Sequence, residues 1–123
     1  MANEITIQLE FKRQHATVTS DNHFYPSRQK RITQTGVGQS DTKQTIGTAE
    51  ETVSFTDIAT NGIVFFENLD ATNYVEWGTV TGDYTGRMMP GEPAGPFRLN
   101  TGKTLYMKAN VAACRVRIIH YEA

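Results

Sequence analysis

The sequence has one cysteine, no long apolar run and almost no net charge, and each shortage excludes a class of protein. Cys114 is the only cysteine in 123 residues, so neither an intrachain disulfide nor a cysteine metal cluster is possible. No apolar run approaches the roughly 18 residues that cross a bilayer. The opening Met1-Ala2-Asn3-Glu4 lacks the regions of a signal peptide. We therefore expect a protein made in the cytoplasm, with no membrane partner.

Chemistry-bearing motifs are also lacking. His15, His23 and His120 show no close metal-ligand spacing, and the chain has no nucleophile elbow, phosphate loop or EF-hand loop. His120 falls on the predicted inward face of a strand together with Cys114, where a hydrogen-bonded core histidine is the commoner arrangement. We expect no catalytic residue, no cofactor and no metal site.

Length and composition predict one folded domain over residues 1–123. A chain of this size buries a single core, and its 38 % apolar and 20 % charged residues lie outside the range of disordered chains.

The apolar residues repeat with a period of two, which is typical of β-strands. Ile5, Ile7, Leu9 and Phe11 alternate with polar residues, and Cys114, Val116, Ile118 and His120 define one face of a last strand. Between them lie short candidate strands separated by turn residues: Thr52–Phe55, Gly62–Asn68, Tyr74–Thr79, Gly86–Met89, Pro96–Leu99 and Leu105–Lys108. The pattern predicts an all-β fold, a single antiparallel β-sandwich of jelly-roll or immunoglobulin-like type.

Two stretches are predicted to be irregular. Residues 33–48 contain almost no large apolar side chain, which predicts a long polar loop or arm in the N-terminal half. Residues 89–97 contain Pro90, Pro93 and Pro96, which exclude a central strand and predict a loop at a corner between sheets.

Two polar clusters admit more than one interpretation. The segment Asn68–Asn73 has the oxygen ligands that calcium prefers, but the same side chains form turns, and we favour the turn. Phe24 and Tyr25 followed by Arg28, Lys30 and Arg31 combine aromatic and basic residues as nucleic-acid-binding segments do. Without an RNA-binding motif or a basic net charge, this cluster favours a solvated loop or a contact with a protein partner.

Charge is unevenly distributed along the chain. Residues 47–86 contain seven acidic residues and no Lys or Arg, whereas basic residues predominate from Arg87 onward. These charges either pair locally after folding or meet between neighbouring copies in an assembly.

Three stretches carry a family resemblance: GIVFFENLDATNYVEWG at 62–78, MMPGEPAGPFRL at 88–99 and LYMKANVAACRVRIIHYE at 105–122. In this order they resemble small β-rich virion proteins of tailed bacteriophages. The resemblance covers about the last three-fifths of the chain, and it leaves open whether residues 1–46 complete the sandwich or form an arm.

The resemblance implies a structural, non-enzymatic protein of the virion, most simply a capsid decoration or cement protein. Its expected partners are the major capsid protein, other virion proteins and further copies of itself, as a trimer for example. A tail- or fibre-associated module is the first alternative. The second is a carbohydrate-binding sandwich in which Trp77 and Tyr74 stack on a sugar ring.

Overall fold

The computed structural model of the chain describes residues 3–13 and 23–123, with the backbone alone for 12–13 and 23–27. Its contacts divide the chain into two compact units, Met1–Gln34 and Thr35–Ala123, where the sequence predicts one domain. Every regular element in the described ranges is a β-strand. No helix that could span a membrane is found in them.

The first unit is a β-hairpin. Strand β1 (Asn3–Arg13) pairs antiparallel with β2 (His23–Gln34) to give a two-stranded sheet. The register runs from Asn3 opposite Gln34 to Arg13 opposite His23, with one irregularity between Leu9 and Phe11. Strand β2 was not among the sequence candidates, because its polar residues show no apolar alternation.

The second unit contains eight strands in two antiparallel sheets. In chain order they are β3 (Gln39–Ile46), β4 (Glu51–Thr52), β5 (Ile63–Asn68), β6 (Val75–Gly78), β7 (Gly86–Met88), β8 (Pro93–Arg98), β9 (Tyr106–Ala109) and β10 (Cys114–Tyr121). One sheet has the order β3-β10-β5-β8 and the other has the order β4-β9-β6-β7.

The strand pairs are nested: the first four strands of the unit pair with the last four in reverse order, as in one long hairpin. β6 pairs with β7 next to the tip, and the pairs β5–β8, β4–β9 and β3–β10 follow outward. Alternate pairs lie in opposite sheets, and the pairings β10–β5 and β9–β6 join them within each sheet. Eight strands rolled in this way form a jelly roll.

The core lies between the two sheets. Phe66, Val116 and Ile118 from one sheet and Val75 and Met107 from the other are buried in a single apolar cluster. Strand β10 alternates between buried and less buried residues along its whole length, so its predicted inward face is confirmed. The predicted all-β antiparallel sandwich is confirmed as well, and its topology is the jelly roll.

The prediction of a loop or arm over 33–48 is wrong for Gln39–Ile46. These residues form β3, which pairs with β10 from Tyr121 opposite Gln39 to Cys114 opposite Ile46. Only Ser40 and Ile46 of this strand are buried. An edge strand is held by its backbone hydrogen bonds, so it needs few apolar side chains, and their scarcity in the sequence was misleading.

The proline-rich stretch is only partly a loop. Residues Pro93–Arg98 form β8, at the edge of its sheet, and pair with β5 through a register shift. Proline is tolerated on an edge strand because the missing amide removes no ladder bond on the open side. The prediction that these residues form no central strand is confirmed, because β8 is an edge strand. The prediction of a loop is wrong for the residues after Glu92, which belong to β8.

Candidate interaction surfaces

One face of the hairpin combines apolar and basic side chains. Ile7 lies opposite Lys30 and Leu9 lies opposite Arg28 in the register, and residues directly opposite each other project on the same side. Exposure increases along this face, from Ile5 at 7 % to Leu9 at 45 % and Phe11 at 73 %. We call these seven residues the hairpin face: Ile5, Ile7, Leu9, Phe11, Arg28, Lys30 and Ile32.

The alternation in β1 predicts burial for Leu9 and Phe11, and the structure exposes both. Two strands alone make one layer, and the hairpin has no second layer of its own to bury Leu9 and Phe11. Exposed apolar side chains next to basic ones are the composition of a contact surface, not of a core.

The five residues predicted to contact a partner all lie on β2 but not on one face. Arg28 and Lys30 belong to the hairpin face and are exposed. Arg31 lies opposite Thr6 on the other face, where its guanidinium is 3.9 Å from the Glu4 carboxylate. The backbones of Phe24 and Tyr25 belong to β2, and their side chains lie outside the described residues.

A second surface lies at one end of the sandwich, which we call the loop end. Three loops meet there: residues 69–74, 89–92 and 110–113. Each contributes one exposed apolar side chain, namely Leu69 at 40 %, Met89 at 44 % and Val111 at 76 %. This surface could not be recognised from the amino-acid pattern, because the three residues are far apart in the chain.

Hydrogen bonds hold the three loops together. The Leu69 N–H donates to the Arg115 carbonyl at 2.9 Å, and the Asn110 N–H donates to the Tyr74 carbonyl at 3.2 Å. In return, the Tyr74 N–H donates to Asn110 Oδ1 at 3.1 Å. The Met89 N–H donates to the Glu92 carboxylate at 2.9 Å. The exposed apolar side chains therefore stand on loops whose backbone is fixed.

Asn68 is the buried anchor of the loop end. Its Nδ2 donates to the carbonyl oxygens of Asn73, Met88 and Met89 at 2.9, 3.2 and 3.3 Å. Its Oδ1 accepts the Asp70 N–H at 3.0 Å. The side chain is fully buried, so these bonds replace the water it gave up.

The Asp70 carboxylate closes the turn that follows. It accepts the N–H groups of Thr72 and Asn73 at 3.0 and 2.7 Å, and these bonds hold the pKa of the carboxyl below its usual value. The turn interpretation of residues 68–73 is confirmed by these bonds. Among the described residues, no group of three or more His, Cys, Asp or Glu is placed to hold a metal.

Trp77 is partly buried and packs against the core of the sandwich. Its ring stacks on Phe97 with centroids 5.4 Å apart and lies 6.1 Å from Phe66. Tyr74 faces outward with the Arg87 guanidinium 4.0 Å above its ring. The two aromatic rings on which sugar stacking depended thus have protein partners.

His120 and Cys114 do not form a catalytic pair. They are six residues apart on β10, which separates them by about 20 Å. The Gly62 N–H donates to His120 Nε2 at 2.9 Å, and the Phe55 ring stands edge-on to the imidazole at 4.3 Å. The Cys114 thiol lies 3.6 Å from the Ala112 carbonyl, and burial raises its pKa.

Glu122 joins the segments next to His120. Its carboxylate accepts the N–H groups of Val37 and Gly38 at 3.2 and 2.8 Å, and those of Ala59 and Thr60 at 2.8 and 3.2 Å. The bonds to Gly38 and Ala59 are the main reason why the pKa of this carboxyl is lowered. This carboxylate has a structural role, because it binds the backbone of residues 37–38 and of residues 59–60.

Part of the uneven charge is paired locally. The Arg87 guanidinium lies 3.9 Å from the Glu76 carboxylate, and Arg117 binds Asp41 through two bonds of 3.0 and 2.8 Å. The two units nevertheless differ in net charge. The first 34 residues contain five Lys and Arg against three Asp and Glu, whereas the remainder contains seven against ten.

The fold and the two surfaces define a jelly-roll protein with a basic hairpin. Comparisons of the chain with protein-family models, curated proteins and solved structures find no significant match.

Proposed function

We propose that the chain is a non-enzymatic structural protein of a virion, which binds a capsid lattice through its hairpin and associates with further copies of itself. Decoration or cementing of the capsid is the role this arrangement suits best. The major capsid protein is the proposed partner in the lattice, and the assembled virion is the proposed location.

The hairpin face is the single observation that carries this proposal. A two-stranded hairpin is at best marginally stable in water, and it gains stability when another surface covers one of its faces. Here the outer part of that face is open, with Leu9 45 % and Phe11 73 % exposed and with the exposed Arg28 opposite Leu9. A partner that covers Leu9 and Phe11 would bury the apolar area and keep the hairpin ordered.

The sandwich supports the same role in a more general way. Jelly rolls occur in viral capsid proteins, although also in lectins and other proteins, so the fold alone decides no function. Nested strand pairing builds the sandwich around one apolar core.

The test is binding to virus particles from which this protein has been deleted. Purified protein is mixed with the particles and sedimented, and the bound fraction is measured. We expect the wild-type chain to sediment with the particles and the double variant Leu9→Asp/Phe11→Asp to remain in solution. Val80→Asp is the matched control, since Val80 is 54 % exposed but lies in the loop after β6.

Two results would contradict the proposal. One is that the chain is missing from purified wild-type particles by mass spectrometry. The other is that the double variant binds the particles as well as the wild-type chain does, which would leave the hairpin face without a role there.

A further inference from the structure

The two sheets of the sandwich have four edge strands, and three of these are unsuited to pairing with another chain. β4 and β7 contain only two and three residues, and β8 carries Pro93 and Pro96. Short edge strands and edge prolines are common means by which proteins prevent further pairing. β3 differs, because it has eight residues, no proline and an unbroken register with β10. Within the described sandwich, no strand pairs with its other side.

The hydrogen bonds of β10 show which backbone groups of β3 point outward. The Glu122 N–H donates to the Gly38 carbonyl at 2.9 Å, so the even-numbered residues of β3 form the hydrogen-bonded pairs with β10. On the other side of β10, the Leu69 N–H donates to the Arg115 carbonyl at 2.9 Å, so the odd-numbered residues of β10 bond to β5. Four residues of β3 therefore direct their N–H and C=O groups away from the sheet: Gln39, Asp41, Lys43 and Thr45.

The charges on β3 match those of a second copy of the same strand. Asp41 and Lys43 are both exposed on the outer side of β3. Asp41 binds Arg117, but Lys43 lies directly opposite Arg117 in the register, and like charges in that position repel. None of the ion pairs within the described ranges includes Lys43. A carboxylate on the open side of Lys43 would offset this repulsion.

We propose that β3 of one copy pairs antiparallel with β3 of a second copy, across a two-fold axis at Thr42. This register places Asp41 of each copy opposite Lys43 of the other, and Gln39 opposite Thr45. These are the residues with outward backbone groups, so each pair exchanges two backbone hydrogen bonds. The two four-stranded sheets then form one continuous sheet.

The inference rests on the self-association in the proposed function and names the surface that carries it. A two-fold contact uses the same patch on both copies, so a single strand must be complementary to itself. The alternation of one acidic and one basic residue around Thr42 meets that requirement. Pairing through the backbone needs few apolar side chains, which agrees with the polar composition of β3.

β3 is already held in place on its inward side. Gln44 Nε2 donates to the Thr52 carbonyl at 3.1 Å, and Gln44 Oε1 accepts the Ser54 N–H at 3.1 Å. Ser40 Oγ lies 3.2 Å from Thr56 Oγ1. These bonds tie β3 to residues of the opposite sheet and the segment after it. Less conformational entropy is lost when a strand is added to such an edge than to a mobile one.

Charge reversal at the two paired positions tests the register. Every copy of Lys43→Asp presents two carboxylates on this edge, and every copy of Asp41→Lys presents two ammonium groups, so each variant repels itself. In an equal mixture of the two variants, each carboxylate is again opposite an ammonium group. The matched control is Lys103→Asp, because Lys103 is exposed in the loop before β9.

Molar mass is measured by light scattering after size exclusion, at chain concentrations up to about 1 mM. We expect the wild type and Lys103→Asp to dimerise equally well. Each edge variant alone should dimerise at least about tenfold more weakly, and the mixture should recover the dimer. Melting temperatures within a few degrees of the wild type are expected and serve as the control for folding, since the substituted side chains are exposed.

Amide hydrogen exchange of the wild-type chain locates the contact independently of any variant. The amides of Asp41, Lys43 and Thr45 point outward, so they should exchange quickly in dilute monomer and slowly at concentrations where the dimer forms. The Thr42 amide bonds to β10 and should be protected at every concentration.

Four results would overturn the inference. A wild-type chain that is monomeric at about 1 mM shows that copies do not pair. Edge variants that dimerise as tightly as the wild type, or a mixture no heavier than either variant alone, show that Asp41 and Lys43 do not meet. A wild-type dimer in which the Asp41 and Lys43 amides still exchange quickly associates through another surface. Binding of the wild-type chain to virus particles is measured separately, so the proposed capsid role can stand when this contact is refuted.

Discussion

Burial of His120 makes the stability of the protein depend on pH in a definite direction. The imidazole is fully buried, and desolvation lowers its pKa from 6.5 to about 4, against a smaller opposing effect of the Glu122 carboxylate. Its Nε2 accepts the Gly62 N–H, so the neutral ring carries its proton on Nδ1, which has no partner among the described residues. Protonation would break the bond to Gly62 and place a charge in the core.

The size of the effect follows from the two pKa values. Above pH 6.5 His120 is neutral in both states and the full stability is present. As the pH falls below that value, the unfolded chain binds a proton that the folded chain does not bind until about pH 4. Unfolding is therefore favoured by about 1.4 kcal/mol per pH unit, and by roughly 3 kcal/mol over the whole window.

The assay is urea unfolding of the wild-type chain and of His120→Gln at several pH values. The glutamine side chain offers an oxygen near the position of Nε2 but does not titrate. We expect the variant to be less stable at neutral pH by about 1–2 kcal/mol, through lost contact with Phe55 and an imperfect hydrogen bond. Its stability should also change much less between neutral pH and pH 5, which is above the ordinary carboxyl pKa of 4.5.

Below that range carboxylates with lowered pKa values, such as Glu122 and Asp70, lose their own contributions in both proteins. The comparison is therefore made above it. Parallel curves for the wild type and His120→Gln would refute the reasoning, since they would mean that His120 takes up its proton equally in both states.

Three further substitutions test the packing, each by urea unfolding. Phe66→Ala should cost about 3–5 kcal/mol because Phe66 is fully buried between the sheets, whereas Phe65→Ala on the outer face should cost about 1 kcal/mol; equal costs would contradict the assignment of faces. Asn68→Leu should cost about 2–4 kcal/mol, because three carbonyl groups lose their donor, and a neutral result would show that water replaces it. Gly62→Ala should lower the melting temperature by several degrees or prevent folding, because a Cβ there would lie 2.1 Å from the Tyr121 carbonyl oxygen; an unchanged melting curve would contradict this close approach.

Strands with one apolar face could be located from the sequence. The alternation from Cys114 to His120 predicts β10 with its inward face, and Gly62–Asn68 predicts β5 to within one residue. In both strands the inward side chains are apolar because they pack in the core. The alternation in the sequence therefore indicates directly which face is buried. Phe65 shows the limit of this reasoning, because it is a large aromatic residue of the same strand and yet lies only partly buried on the outer face.

Strands held mainly by their backbone could not be located. β3 has a burial pattern with only two buried positions, and β2 is largely basic and polar, so neither produces a period of two in apolar residues. Their partners β10 and β1 carry that pattern instead. The pairing of two strands depends on residues that are distant in the chain. A sequence window that contains only one of the two strands therefore does not reveal the pairing.

The basic cluster of β2 was predicted as a contact, but the apolar half of that surface was not. Alternation in β1 indicates that Leu9 and Phe11 share a face, and nothing in the sequence states whether another layer covers it. The structure supplies that fact, because Leu9 and Phe11 are 45 % and 73 % exposed. The register then places Arg28 opposite Leu9.

The loop end is a consequence of the nested strand order. The nested strand order brings loops from distant parts of the chain to the same end, so Asn110 bonds to Tyr74 although the two residues are far apart in sequence. Apolar residues on such loops would be a liability if the loops moved, because mobile apolar surface promotes non-specific association. Asn68 and Asn110 restrain the loops by binding backbone groups in them. Because Asn68 is fully buried, it links the core to the two loops that carry Leu69 and Met89.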